Sequence, residues 1–311
     1  MTVNVLVETE GLTKEQWLKY RKQGIGGSDV ASLLGISKWK STIELWLEKT
    51  NQTNELPMEN EAMQWGMIME DVIRNHFSSV TGKPVVQVKA ILQHETYPFM
   101  IADVDGITTD EKGNPAVLEI KTVSEYKRAE WEEGVPTYYQ TQVQHYLLVT
   151  GLAKAYVVVL IGGNRFRMYE VEADEEVQAM LIAVEQNFWN QVQNMIRPEI
   201  DGSDTAKSLL DRIYHGGIAE PIVLPEEAME YVDLYIEACA EEENAKAKKQ
   251  EASNHLKEFM GDYEKAKCLD YHLTWKAVIS ERFDTKALKE QEPEIYKKYV
   301  KTSKTRRFTV R

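Results

Sequence analysis

The chain has only two cysteines in 311 residues, Cys239 and Cys268, with no CxxC pair and no histidine at zinc spacing. A disulfide framework, a structural zinc and an iron–sulfur cluster are thereby set aside, and a reducing cytosol is the expectation. Basic residues are also short: 37 Lys and Arg against 50 Asp and Glu leave a net charge of −13. That balance argues against a protein that coats nucleic acid, because such binding rests on neutralising phosphates. An enzyme with a locally basic channel in an acidic body stays allowed, since the field in a cleft follows from where the charges lie. No apolar run reaches the roughly 18 residues of a membrane helix, so no membrane span is expected. The opening "MTVNVLVETEGLTKEQW" lacks a basic n-region followed by an apolar core, and no signal peptide is expected. The sequence also has no internal repeat and no low-complexity tract.

What is present is an ordinary globular apolar fraction, 43%, arranged in two periods. Helical spacing runs through 12–22, a glycine-rich turn and short helix at 24–37, then 42–50 and 59–82. The period then changes to that of strands over 84–94, 99–110 and 116–123, with "DG" and "EKGN" as turns, which predicts a β-meander. A helix over 137–151, strands over 154–163 and 165–173 and a helix over 174–195 follow. "RPEIDGSD" and "HGGIAEP" mark a boundary near 200–218. Beyond it lie a long charge-laced helix (225–261), a strand (268–279), a helix (284–299) and a last strand (306–311).

The stretch "VLEIKT" (117–122) sets Glu119 and Lys121 on one face of a strand, with Leu118 and Ile120 on the other. By itself this is an ion pair on a half-wet strand. In a meander, however, Asp105 of the "DG" turn comes close to Glu119 across the strands. Two neighbouring carboxylates raise each other's pKa unless a divalent cation neutralises them, and hard oxygen ligands suit Mg²⁺ or Mn²⁺. A lysine on the same face orients an attacking water and offsets phosphoryl charge. Asp103 is a rival ligand, on the opposite face if the strand is regular.

Three further stretches add to this. "GIGGSD" (24–29) opens a helix with backbone N–H groups turned to an anion, with the Ser28 hydroxyl beside them and Arg21 one turn upstream. A glycine-rich capping turn is the structural alternative. "WGMIMED" (65–71) carries Glu70 one turn after Gly66; a solvated charge is its plain reading. "YYQTQVQ" (138–144) carries Gln142, and a buried glutamine needs partners.

In this order the blocks resemble the lambda-exonuclease branch of the PD-(D/E)XK nucleases, specifically the YqaJ-type viral recombinase family, over roughly residues 15–195. The resemblance implies a mixed α/β fold, a restriction-endonuclease-like core with a mixed central sheet flanked by helices. Residues 1–200 form the nuclease domain, 201–224 a linker, and 225–311 a mostly helical C-terminal appendage with short strands. By this resemblance Asp105 and Glu119 would bind Mg²⁺ (with Mn²⁺ able to substitute), helped by the Ile120 carbonyl. Glu70 would assist through a metal-bound water, Lys121 would be the catalytic lysine, and Gln142 would sit in the site. Arg21 and Ser28 would receive a DNA 5′ phosphate. One departure is Val104, where the superfamily signature has proline.

The implied activity is 5′-to-3′ digestion of one strand of double-stranded DNA, leaving 3′ overhangs for phage-type recombination beside a single-strand annealing protein. A homotrimeric ring in a bacterial host cytoplasm, phage or prophage encoded, is implied with it. Lys38, Trp39 and Lys40 are candidate DNA-channel residues, although Trp39 reads equally well as core. The alternatives are a structure-specific or restriction-type endonuclease on the same core, and a non-catalytic DNA- or protein-binding scaffold.

Overall fold

The computed structural model describes residues 3–53, 61–214, 216–302 and 306–310, and the chain divides into two compact units, Met1–Arg212 and Ile213–Arg311.

The first unit begins with β1 (Asn4–Glu8) and α1 (Lys14–Arg21). Thr13 starts α1 through a capping box: its Oγ1 accepts from the Gln16 amide at 3.2 Å, and Gln16 Oε1 accepts from the Thr13 amide at 2.9 Å. There follow β2 (Ile25–Gly26), α2 (Gly27–Leu33), α3 (Thr42–Lys49) and α4 (Glu61–Thr81). Next come β3 (Ala90–Gln93), β4 (Met100–Ala102), β5 (Gly106–Thr109) and β6 (Pro115–Val123). After a 3-10 helix at Glu125–Trp131 come α5 (Thr137–Thr150), β7 (Lys154–Ile161), β8 (Arg165–Glu172), α6 (Glu175–Gln193) and α7 (Asp204–Ile213).

These strands form two sheets, ordered β1-β3-β4-β2 and β5-β6-β7-β8. In the second, β6 pairs antiparallel with β5 and parallel with β7, and β7 is antiparallel to β8. A parallel pair needs a crossover, which the 3-10 helix and α5 supply. The expected mixed α/β architecture is therefore present. The single meander over 84–123 is not: residues 99–110 split at Asp103–Asp105 into β4 of one sheet and β5 of the other. Asp103 is drawn to the Trp17 indole (2.8 Å), Val104 is buried, and Asp105 turns to the Ile120 amide (2.7 Å), so neither ladder can include them. The 84–94 segment keeps only an isolated Val86–Ile107 bridge to the second sheet.

β6 is central and covered on both faces. Its even residues Ala116, Leu118 and Ile120 pack with Ile73 and Phe77 of α4. Val117, of the opposite alternation, packs with Val143, Tyr146 and Leu147 of α5. A third cluster joins Ile25, Val30, Leu45, Trp46, Leu181 and Phe188, fixing α2 and α3 on α6.

The second unit holds α8 (Ala228–Met260), the hairpin β9 (Lys265–Cys268) and β10 (Tyr271–Thr274), α9 (Thr285–Gln291) and α10 (Pro293–Tyr299). The strand expected over 268–279 is thus half of a hairpin, turned at Leu269 with φ 51°. Pro293 divides the helix expected over 284–299, since it has no N–H to continue one. Of the strand expected over 306–311, residues 306–310 pair with no strand among the described residues, and residue 311 lies outside them. The 201–224 stretch, expected as linker, contains α7 with Ala206 and Leu209 buried. Among the described residues no helix is long and apolar enough to cross a membrane.

Phe77 is fully buried between α4 and the sheet. Phe77→Ala is expected to destabilise the first unit by about 3–5 kcal/mol, read by urea denaturation followed by tryptophan fluorescence.

Candidate functional site

The alternation that buries Leu118 and Ile120 on the α4 side sends Glu119 and Lys121 to the α5 side. Glu119 is 2% exposed. Its Oε1 accepts from Lys121 Nζ at 2.6 Å and from Gln142 Nε2 at 2.7 Å. Its Oε2 is buried with no donor. Gln142 Nε2 also donates to the Tyr146 hydroxyl at 3.0 Å, one turn along α5. Asp105 stands one residue beyond the Gly106–Leu118 pair, so the register continued by one sets it opposite Glu119.

Glu70 and Asp71 reach this region from α4, both paired with Arg74. Arg74 Nε donates to the Asp105 carbonyl at 3.2 Å and so ties α4 to the carboxylate segment. One oxygen of Asp103, the rival ligand, accepts from the Trp17 indole, and its charge bears on Asp105.

These groups strain one another. Burial, then the Asp105 charge, pushes Glu119 up to about 8 against the pull of Lys121. Burial and Asp105 likewise push Glu70 up to about 7, with Arg74 opposing. Asp105 is raised by burial, partly offset by Lys121 and the Ile120 amide. For Lys121 burial works downward, but Glu119 and Asp105 outweigh it and hold the ammonium above its ordinary value. One lysine thus serves two buried carboxylates, and the cluster is short of positive charge.

Among the described residues no three His, Cys, Asp or Glu side chains form a ready cage for an ion. The donor set is that of a magnesium-type site, in which one or two carboxylates share the ion with waters and substrate phosphates. The unpartnered Glu119 Oε2, on a carboxylate that the Asp105 charge already raises, fits such an ion.

A second cluster adjoins the first. Arg21, at the end of α1, donates to Ser28 Oγ at 3.0 Å. A Cβ at Gly26 would displace the Arg21 guanidinium from its present place. At Gly27 a Cβ would lie 2.5 Å from the Tyr146 ring and 3.0 Å from Gln142. The two glycines therefore let α2 lie between the arginine and α5, and one helix turn joins both clusters. The Gly26 amide, expected to face an anion, is instead taken by Asp29 Oδ2 at 3.0 Å.

Two residues here went unnoticed in the sequence. Asp29 is buried, and Lys49 Nζ donates to it at 2.8 Å and to the Arg21 carbonyl at 2.9 Å. Burial works to raise Asp29, but Lys49, Arg21 and Lys40 hold it well below the usual carboxylate range. Asp29 follows Gly26 by three residues, the capping-box spacing, which was a legible signal. Lys49, in the last turn of α3, gave none. A cleft of about 830 Å³ opens on this cluster, lined by Trp17, Arg21, Lys22, Ser28, Lys40 and Lys49 among others. Asp105 and Glu119 do not line it.

Lys38 pairs with Glu130 at 2.9 Å and Lys40 with Glu48 at 2.6 Å. Trp39 is 55% exposed and therefore not core. Its ring meets Tyr138 edge-on at 5.2 Å and Tyr139 at 5.9 Å, and Lys121 Nζ lies 4.9 Å from the Tyr139 ring. Tyr139 thus links the exposed tryptophan to the carboxylate cluster.

A family model described as the YqaJ-like viral recombinase domain matches residues 16–153, which include both clusters. The uncharacterized protein YqaJ of Bacillus subtilis (strain 168) is 39% identical over 312 residues, covering 99% of this chain and 97% of its own. Among solved structures, an alkaline exonuclease from Laribacter hongkongensis is 20% identical and aligns over 65% of this chain and 99% of that one, with a TM-score of 0.48. A phage related exonuclease from Haemophilus somnus 129PT is 12% identical over 55% of this chain and 96% of that one, TM-score 0.40.

Two predictions rest on these charges. Glu119 titrates in the metal-free fold near 8, above its ordinary 4.5, so folding favours its protonated form. The stability tied to that proton is complete below about 4.5 and is lost as pH rises through about 8. Thermal melts in EDTA are expected to show Tm falling from about pH 5 to pH 8, with a shallower slope in Glu119→Gln; equal slopes would exonerate Glu119. Lys49→Met leaves buried Asp29 with only the more distant Arg21, 3.9 Å away, as an ion-pair partner and is expected to cost about 3 kcal/mol in urea denaturation. Adding Asp29→Asn should recover most of that loss.

Proposed function

The chain belongs to the YqaJ-like viral recombinase family, and from that premise we infer that it is a Mg²⁺-dependent exonuclease that digests one strand of double-stranded DNA from the 5′ end. The observation that carries this reading is the adjacency of the two clusters. A carboxylate–lysine group with an unpartnered oxygen lies one helix turn from an arginine–serine pair in a basic cleft. Cleavage chemistry beside an anion pocket suits a substrate that ends in a phosphate.

Asp105, Glu119 and the Ile120 carbonyl would hold Mg²⁺ or Mn²⁺. What such an ion supplies when bound is Lewis-acid charge at the scissile phosphate and a more acidic water. Gln142 fixes Glu119 Oε1, so the free Oε2 has one orientation. Arg74 holds Glu70 beside Asp105, where it can accept a hydrogen bond from water. Lys121 is protonated while its carboxylate neighbours keep their charge, and stabilises negative charge at the phosphoryl oxygens. Burial works against the Lys121 ammonium, so any neutralisation of its carboxylate neighbours would make Lys121 a better acceptor for a proton from water.

Arg21 meets a terminal phosphate with a guanidinium that Gly26 lets lie close and Ser28 orients. Trp39, with Tyr138 and Tyr139, offers a surface on which bases stack. The reading extends to a 3′ overhang passed to a single-strand annealing protein, and to a homotrimeric ring whose enclosure of duplex assists an acidic chain.

Duplexes labelled at either end, with and without a 5′ phosphate, test this in Mg²⁺. Wild type is expected to release label from 5′ ends and to prefer the phosphorylated duplex. Glu119→Ala or Lys121→Ala should lower the rate by about 100-fold or more. Arg21→Ala should instead abolish the preference for the phosphate while retaining slow digestion. Nicking of covalently closed circles would replace the exonuclease reading with an endonuclease.

A further inference from the structure

Helix α8 has 33 residues, about 50 Å at 1.5 Å each, and along it only Met260 is buried. The residues that pack within the second unit share one side. Tyr235 meets Phe308 edge-on at 5.6 Å, Lys257 lies over Trp275 at 5.6 Å, and Val232 and Ser253 are half-buried. A neighbouring face, centred on Ala245, carries a second row at three- and four-residue spacing that is exposed throughout. Its large members include Leu234, Leu256 and Phe259, the last 88% exposed.

This row reads nearly the same in both directions. Ala245 is its centre: Glu241 and Lys249 stand four residues either side, Ala238 and Ala252 seven, Leu234 and Leu256 eleven, Tyr231 and Phe259 fourteen. The charges are arranged the opposite way. Residues 228–245 carry six carboxylates and no Lys or Arg, whereas 246–260 carry four lysines and two carboxylates. A second copy laid antiparallel therefore meets leucine with leucine, tyrosine with phenylalanine and alanine with alanine. It also meets Glu241 with Lys249. Laid parallel, it would set Glu241 on Glu241 and Lys249 on Lys249, which repel.

We propose that α8 is a self-recognition surface, through which two copies of this chain pair as antiparallel helices about a twofold axis at Ala245. In such an interface residue i meets j while j meets i, and the mirrored spacing about Ala245 meets that condition at each of the four pairs. The alanines at the centre and at seven residues on either side let the two helices approach closely, because interaxial distance follows side-chain size at the contact. Glu242 is already engaged with Lys246 of its own helix at 2.6 Å, which leaves Glu241 and Lys249 to set direction. This pairing is independent of the nuclease reading.

Light scattering on the full-length protein tests the proposal. Leu234→Glu with Leu256→Glu is expected to halve the particle mass with helicity by circular dichroism unchanged. Glu241→Lys or Lys249→Glu alone should weaken association by about 10-fold, and the two together should restore it. On a background with Cys239 and Cys268 changed to serine, Ala245→Cys should cross-link two chains under mild oxidation. Ala238→Cys should not, because it faces Ala252. Unchanged mass in the leucine variant, or no cross-link at Ala245→Cys, would overturn the pairing and leave this face to a different protein. Failure of the double charge swap to restore association would overturn the antiparallel register.

Discussion

Glu119 holds a buried carboxylate with one oxygen satisfied twice and the other not at all. Burying a charge in this way costs several kcal/mol unless pairing offsets it, and Lys121 is shared with Asp105. The arrangement persists only because β6 is central in its sheet and packed on both faces. An edge strand would swing the carboxylate into water, and the unmet oxygen would then be satisfied by solvent. The apolar residues around β6 are thus what keep Glu119 electrostatically hungry. They supply nothing chemical themselves, yet they set the affinity of the site for positive charge.

That constraint propagates along the chain. Gln142 fixes Glu119 from α5, and Tyr146 accepts from the same amide. The surface of α5 at Gln142 and Tyr146 is where Gly27 brings α2 into contact. The next residue of α2 is Ser28, which takes the Arg21 guanidinium. Lys49 then holds both the Arg21 carbonyl and Asp29. The Arg21–Ser28 and Glu119–Lys121 clusters are therefore one mechanical assembly, joined where Gly27 meets α5 and tied by the buried Lys49–Asp29 pair.

The sequence disclosed some of this and hid the rest for identifiable reasons. The period of two in "VLEIKT" determined which face Glu119 and Lys121 share, because a central strand has no freedom to rotate. Residues 99–110 gave the opposite result. Their apolar pattern reads as one strand, and nothing local announces that Asp103 and Asp105 will each leave the ladder for a partner 86 and 15 residues away. Lys49 illustrates the same limit. A lysine in the last turn of a helix reads as a solvated charge near the negative end of the dipole, and only the tertiary fold reveals Asp29 beneath it. Trp39 read equally well as core at the sequence level, and its exposure beside Tyr138 and Tyr139 removes that reading.

Charge placement bears on how such a chain holds DNA. Residues 12–50 carry seven basic against four acidic residues, while the whole chain stands at −13. Within that stretch Lys38, Lys40 and Lys49 are each committed to a carboxylate of the chain itself. Three of the seven cations of this stretch are thereby offset before any counterion of a duplex would be replaced, which on the proposed reading weakens the salt-dependent grip. In the proposed ring each further copy's contact would be intramolecular and would gain effective concentration without new charge. An acidic body with a basic notch is coherent on this view. On the proposed reading the notch would recognise an end, repulsion elsewhere would discourage unproductive binding along the duplex, and the ring would supply the persistence that electrostatics withholds.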